Sequence, residues 1–168
     1  MEHILTECKA SGQETIWKTA EETWRHTEKP WPFISIGLLL GISLVEIKNP
    51  NGKTNKGLTG LFRIIVSEST YLIWLTRCEW RIGREGDAAK LHPKKEIENK
   101  WRYAINNRIR QDWAQANKYL FHKKAISHDL VKRTWEKVAE HPENPEDDRD
   151  PAKWTKNMGP GGFSGYQQ

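Results

Sequence analysis

The stretch Leu61–Gly83, LFRIIVSESTYLIWLTRCEWRIG, leaves this chain few ways to fold. Leu61, Ile65, Leu72, Leu75 and Cys78 fall on helical steps of three, four and seven. Phe62, Ile64, Val66, Tyr71, Ile73, Trp74, Trp80 and Ile82 widen the apolar surface beyond one stripe, and a helix that apolar needs cover on several sides. A polar strip remains: Arg63, Ser67, Thr70, Arg77, Arg81 and Arg84. No Pro or Gly interrupts the run before Gly83, and at about 1.5 Å per residue it spans roughly 35 Å, the width of a small domain. The expectation is a central strut wrapped by other helices. Its arginine end reads two ways: as an edge kept soluble by charge, or as an end aimed at an acidic partner.

The flanking sequence supplies the wrapping. Ser11-Gly12-Gln13-Glu14 has the capping-box pattern, and Ile16, Trp17, Ala20 and Trp24 give the helix after it an apolar face. Lys29-Pro30-Trp31-Pro32 ends that helix, because proline lacks a donor and restricts the residue before it. Residues 33–47 suit a buried strand or a short helix starting near Ser35; without a second strand to pair with, helix is the reading taken. Asn49–Gly57 reads as a turn-rich loop. Pro93 suits a first helical position, and Ile97, Trp101, Ala104, Ile105, Ile109, Trp113 and Ala116 carry a helix on to about Lys118. Ser127 is placed as an N-cap, with Ile126 and Val131 as a staple and Val131, Trp135 and Val138 as the buried stripe.

The expected fold is therefore all-α: a small helical domain over residues 11–141 around a long central helix. Residues 142–168, acidic and proline-broken and then glycine-rich, are expected to form a disordered tail. The predicted core is Trp17, Trp24, Leu72, Leu75, Trp101, Ile105 and Trp135.

Function is less sharply written. The chain carries a net charge of +5 and nine Trp residues, a balance compatible with nucleic acid or another anionic surface. Cys8 and Cys78 stand far apart and suggest no disulfide framework. The uncharged apolar run Phe33–Val45 is shorter than the ~18 residues of a membrane span, so no membrane partner is expected. No catalytic constellation, phosphate-cradling glycine loop or paired carboxylate site is evident, which argues against an enzyme and a small-molecule substrate. His3 and Cys8 form half of a knuckle-type zinc site; two ligands do not hold a structural zinc, so zinc is expected only if others are supplied from elsewhere. The best functional clue is the interleaving of basic and aromatic residues between Arg77 and Arg133. Within it, Arg77, Arg81 and Arg84 at the end of the strut, and Lys94, Lys95 and Arg102 on the returning helix, are expected to make one cationic corner, with Trp80 free to stack on RNA or single-stranded DNA.

Four segments carry a resemblance: HILTECKASGQETIW, VSESTYLIWLTRCEWRIG, IENKWRYAINNRIRQD and VKRTWEKV. In this order they resemble the C-terminal region of fungal non-LTR retrotransposon polyproteins, where the end of a zinc-binding segment precedes a helical module downstream of reverse transcriptase and ribonuclease H. The resemblance covers roughly Glu2 to Val138 and implies that residues 1–10 are a remnant of the zinc-binding segment. The family's upstream cysteine pair and its catalytic acids have no counterpart here. It thus implies a truncated, non-enzymatic product, acting by nucleic-acid binding through its basic helices or by packing on a polymerase-containing protein, inside the cell and with the nucleus among the expected compartments.

Overall fold

The computed structural model describes residues 2–6, 8 and 12–139. The tail expected over residues 142–168 and the Ser11 half of the capping box lie outside the described residues. Among the described residues the fold is all-α, with helices α1 (Glu2–Thr6), α2 (Gln13–Arg25), α3 (Ile36–Leu40), α4 (Lys56–Cys78), α5 (Lys94–Gln115), α6 (Lys118–Phe121) and α7 (His128–Trp135). Helix α4 is the strut, and α1, α2, α3, α5 and α7 all pack on it.

The strut starts five residues before Leu61, because Asn55 caps it: its side-chain oxygen accepts the Leu58 N–H at 3.0 Å. The loop before it is pinned. Asn49 N–H donates to Lys53 O at 2.8 Å and Asn55 N–H to Ile47 O at 2.7 Å, around an isolated antiparallel bridge between Lys48 and Thr54. Past Cys78 the helix widens into a π turn over Glu79–Gly83. Leu58, Leu61, Phe62, Ile65, Val66, Leu72 and Ile73 are buried along α4. By length and composition Lys56–Gly83 would also cross a membrane, but half of its most apolar window is covered by the rest of the chain, and the core helix of a soluble protein passes the same test.

Buried tryptophans set the contacts around the strut. Trp24 of α2 meets Phe62 edge-on, with centroids 5.1 Å apart, and Trp31 meets the same ring at 5.8 Å. The proline-broken segment thus folds back onto the core, and Trp24 Nε1 donates to Pro30 O at 3.1 Å. Trp101 of α5 donates to Ser69 Oγ at 2.9 Å, and Trp135 of α7 donates to Asp112 Oδ2 at 3.0 Å. Each large apolar body is buried while its one N–H is satisfied.

Helix α2 begins at Gly12, which stands at φ 65° and makes no side-chain cap bond. A Cβ there would meet Ile97 Cδ1 at 1.9 Å, so both conformation and space favour glycine. Segment 33–47 contains a short helix as expected, capped by Ser35 Oγ accepting from Leu38 N at 3.2 Å. It is not a buried run: Phe33, Leu40 and Leu44 face out. Arg63 holds its far end by donating to Val45 O through Nε (3.1 Å) and Nη2 (2.8 Å). Of the predicted core, Leu75 is a correction. It stands on the outer side of α4 with Tyr71 and Trp74 and is 37% exposed. The other six residues are buried.

Candidate interaction surfaces

The expected corner exists as a place: the short connection after the π turn returns α5 beside the end of α4, and Lys100 reaches back to Glu79. Its cations point in different directions. Arg77 turns inward, its Nη1 3.2 Å from Cys8 Sγ. Arg84 contacts both Glu96 oxygens (3.0 and 3.2 Å) and donates to Lys90 O at 3.1 Å. Lys94 lies 3.7 Å from Glu98. Arg102 is half-buried, with its Nε inside and without a hydrogen-bond partner. Trp80 is half-buried and donates to Asp87 O at 2.9 Å, which limits its ring as a stacking platform. Arg81 and Lys95 remain exposed.

At the heart of the corner sits His92. Its side chain is buried, Nδ1 lies 2.8 Å from Glu96 Oε1, and Nε2 lies 3.2 Å from Thr76 O. Burial works to raise the Glu96 pKa, but hydrogen bonds from His92, Lys100 and Arg84, with the Lys100 charge, overcome it and hold the carboxyl at about 2. Ligand atoms of Glu79, His92 and Glu96 lie within 4.8 Å of one another, a spacing a divalent cation could use. Lys100 and Arg84 already contact these oxygens, and a metal would have to displace them. The arrangement is an ion-pair knot joining α4 to α5.

The zinc half-site gains no third ligand among the described residues. His3 is exposed, while Cys8 is buried; Cys8 N–H donates to His3 O at 2.8 Å, and the Cys8 thiol faces the Arg77 guanidinium. Helix α1 serves as a cover: Trp17 Nε1 donates to Leu5 O at 2.8 Å and Gln13 Nε2 to Thr6 O at 3.1 Å.

Two other surfaces stand out. The first is an apolar groove of about 360 Å³, lined by Leu5, Leu39 and Ile42 on one side and by Val66, Ser67, Thr70, Tyr71 and Trp74 of α4 on the other. On the same two segments Phe33, Leu40, Leu44 and Leu75 are exposed, and Phe33–Val45 carries no charge. The second is the insert between α5 and α7. Asn117 ends the expected continuation of α5, its side chain accepting from Tyr119 N (2.9 Å) and Leu120 N (3.4 Å). Ile126 N–H closes the insert onto Gln115 O at 3.0 Å, and His122 takes φ 48°, which L side chains rarely adopt. The result presents Tyr119, Leu120 and Phe121 to solvent between Lys118 and Lys123-Lys124, with no acid from residue 113 to 128.

Sequence reasoning missed both surfaces. The groove needs long-range packing that no local pattern encodes. The insert had a local signal, Asn117 followed by a loss of the four-residue apolar spacing, but the strong period of α5 masks it. No protein-family model, curated protein or solved structure matches this chain.

Proposed function

We propose that this chain is a non-enzymatic helical docking module that binds a protein partner through the uncharged groove between segment 33–44 and α4. One observation carries this reading: a groove lined by exposed Tyr71 and Trp74, with Phe33, Leu40, Leu44 and Leu75 also exposed on the two segments that form it, more large apolar side chains than isolated surface residues account for. Trp74 and Tyr71 have the character of interface anchors, with an apolar body and a polar tip. The corner supports nucleic-acid binding less well, because Arg84 and Lys94 are paired within the chain and Arg77 is turned inward.

The test is retention of protein partners by the parent chain and by Trp74→Ala and Leu40→Asp variants, after nuclease treatment and across a salt series. Retention that survives both and is lost in the variants supports docking, since an apolar anchor is not screened by salt. Retention that disappears with nuclease, or is equal in parent and variants, overturns it. A second reading rests on the insert at Lys118–Lys124, whose exposed aromatics and lysines suit single-stranded nucleic acid.

A further inference from the structure

We propose that the occupant of the apolar groove is a second copy of this chain, so that the protein forms a two-fold symmetric dimer through segment 33–44 and the outer face of α4. The inference rests on the docking reading above and names its partner.

Three observations carry it. First, hollow and projections lie on the same segment. Leu39 and Ile42 line the groove, while Leu40 and Leu44, next to them in the chain, project outward. In a two-fold contact each patch meets its own copy, so a face bearing both a hollow and projections can satisfy itself. Second, the groove lining is uncharged. Two chains of net charge +5 repel one another, and contact is least opposed where neither brings a charge. Phe33–Val45 contains no charged residue, and the residues of α4 that line the groove are Val66, Ser67, Thr70, Tyr71 and Trp74. Of the charges beside it on α4, Arg63 is tied to Val45 O, Arg77 contacts Cys8 Sγ, and Glu68 stands 4.0 Å from Arg108. Third, the area fits. Phe33, Leu40, Leu44, Tyr71, Trp74 and Leu75 are between 37% and 88% exposed. With large side chains contributing roughly 200 Å² each, their exposed surface is on the order of 800 Å². That is comparable to the approximately 800 Å² each partner brings to a stable interface.

The test is the mass of the full chain by sedimentation over a concentration series reaching tens of micromolar, at low and high salt. The expected result is a monomer–dimer equilibrium whose dissociation constant does not rise with salt, because no ion pair sits in the contact and salt screens the repulsion between the two chains. The double variant Leu40→Asp, Leu44→Asp alters only exposed positions and is expected to keep the parent's helical circular dichroism while weakening self-association at least tenfold. Lys123→Glu, in the insert, is expected to leave the dimer intact. A parent that stays monomeric at every concentration overturns the proposal, whatever the variants do. So does a dimer that persists in the double variant or dissociates on adding salt. Should the parent be monomeric while Leu40→Asp and Trp74→Ala still abolish retention of a different protein, self-pairing fails and the docking reading stands. Monomeric behaviour with no such retention removes both. Monomeric parent chains that bind neutral phosphatidylcholine vesicles through this face would assign it to lipid and equally overturn the dimer.

Discussion

Asp112 shows how one buried carboxylate is tolerated. Its Oδ2 accepts the Trp135 indole N–H, and Arg108 Nε lies 3.0 Å from Oδ1 without the alignment of a hydrogen bond. Burial pushes its carboxyl up, against the opposing pull of Arg108 and Trp135. What the site needs is therefore an acceptor more than a charge. Asp112→Asn is expected to change unfolding free energy by less than about 1 kcal/mol, and Asp112→Ala, which strands a buried indole N–H, to cost ~1–3 kcal/mol; urea unfolding distinguishes them. Glu96 behaves oppositely. Its folded pKa, about 2, lies below its ordinary value of 4.5, so the stability it contributes is present above pH 4.5 and is lost as pH falls towards 2. A dry group shifted this far would contribute about 3 kcal/mol. The Glu96 side chain is about a third exposed, and screening reduces the expectation to about 1 kcal/mol. Glu96→Gln is expected to lose that amount at neutral pH and to converge on the parent near pH 2. An undiminished gap there would mean that the substitution acts through packing.

At the scale of elements, α7 packs closely on the start of α4. A Cβ on Gly57 would lie 2.5 Å from Arg133 O, and backbone cannot move aside as a side-chain end can. Gly57→Ala is expected to destabilise the fold by about 1–3 kcal/mol, read from urea unfolding, although alanine is the better helix former. Much of this level was legible in the sequence. The spacing of Ile97, Trp101, Ile105 and Ile109 gives α5, and Val131, Trp135 and Val138 give the stripe of α7, all of them buried. Less legible was anything set by a side-chain cap or by the absence of cover. Asn55 starts α4 inside what reads as a loop, Pro93 serves as the N-cap of α5 rather than its first residue, and Leu75 keeps the helical period yet stays partly exposed. The candidate site divides similarly. Antiparallel return of α5 follows from the short connection, whereas pairing of Arg84 with Glu96, or of Arg77 with Cys8, depends on which rotamer the packing admits. The second of these contacts carries a prediction of its own. Arg77 occupies the Cys8 sulfur and no third ligand stands near among the described residues, so zinc titration of the reduced chain is expected to give no tight stoichiometric binding. One zinc per chain, lost in Cys8→Ser, would show that α1 rearranges to complete a shell.

Across the whole molecule, the excess of +5 is unevenly placed, and that decides where an anion would settle. The corner mixes Arg77, Arg81, Arg84, Lys94, Lys95, Lys100 and Arg102 with Glu79, Glu85, Asp87, Glu96 and Glu98, and several are already joined. The insert carries Lys118, Lys123 and Lys124 with no acid from residue 113 to 128, beside an exposed Tyr119 and Phe121. Phosphates gain most where local acids do not compete, and unpaired bases stack where ring faces are open. If the chain binds single-stranded RNA, the expectation is that Lys118, Lys123 and Lys124→Ala abolishes most of the affinity, while Arg77, Arg81 and Arg84→Ala changes it little. Three phosphate contacts give a slope of about −2 in a plot of log affinity against log salt, at roughly −0.7 each. Tyr119→Ala is expected to weaken binding without changing that slope, because stacking releases no counterions. Fluorescence anisotropy at several salt concentrations, on variants that keep the parent's circular dichroism, separates the two surfaces. A loss of affinity with a shallower slope in the arginine variant would return the contact to the corner, and would mean that the Arg84–Glu96 and Arg77–Cys8 contacts open when phosphate arrives.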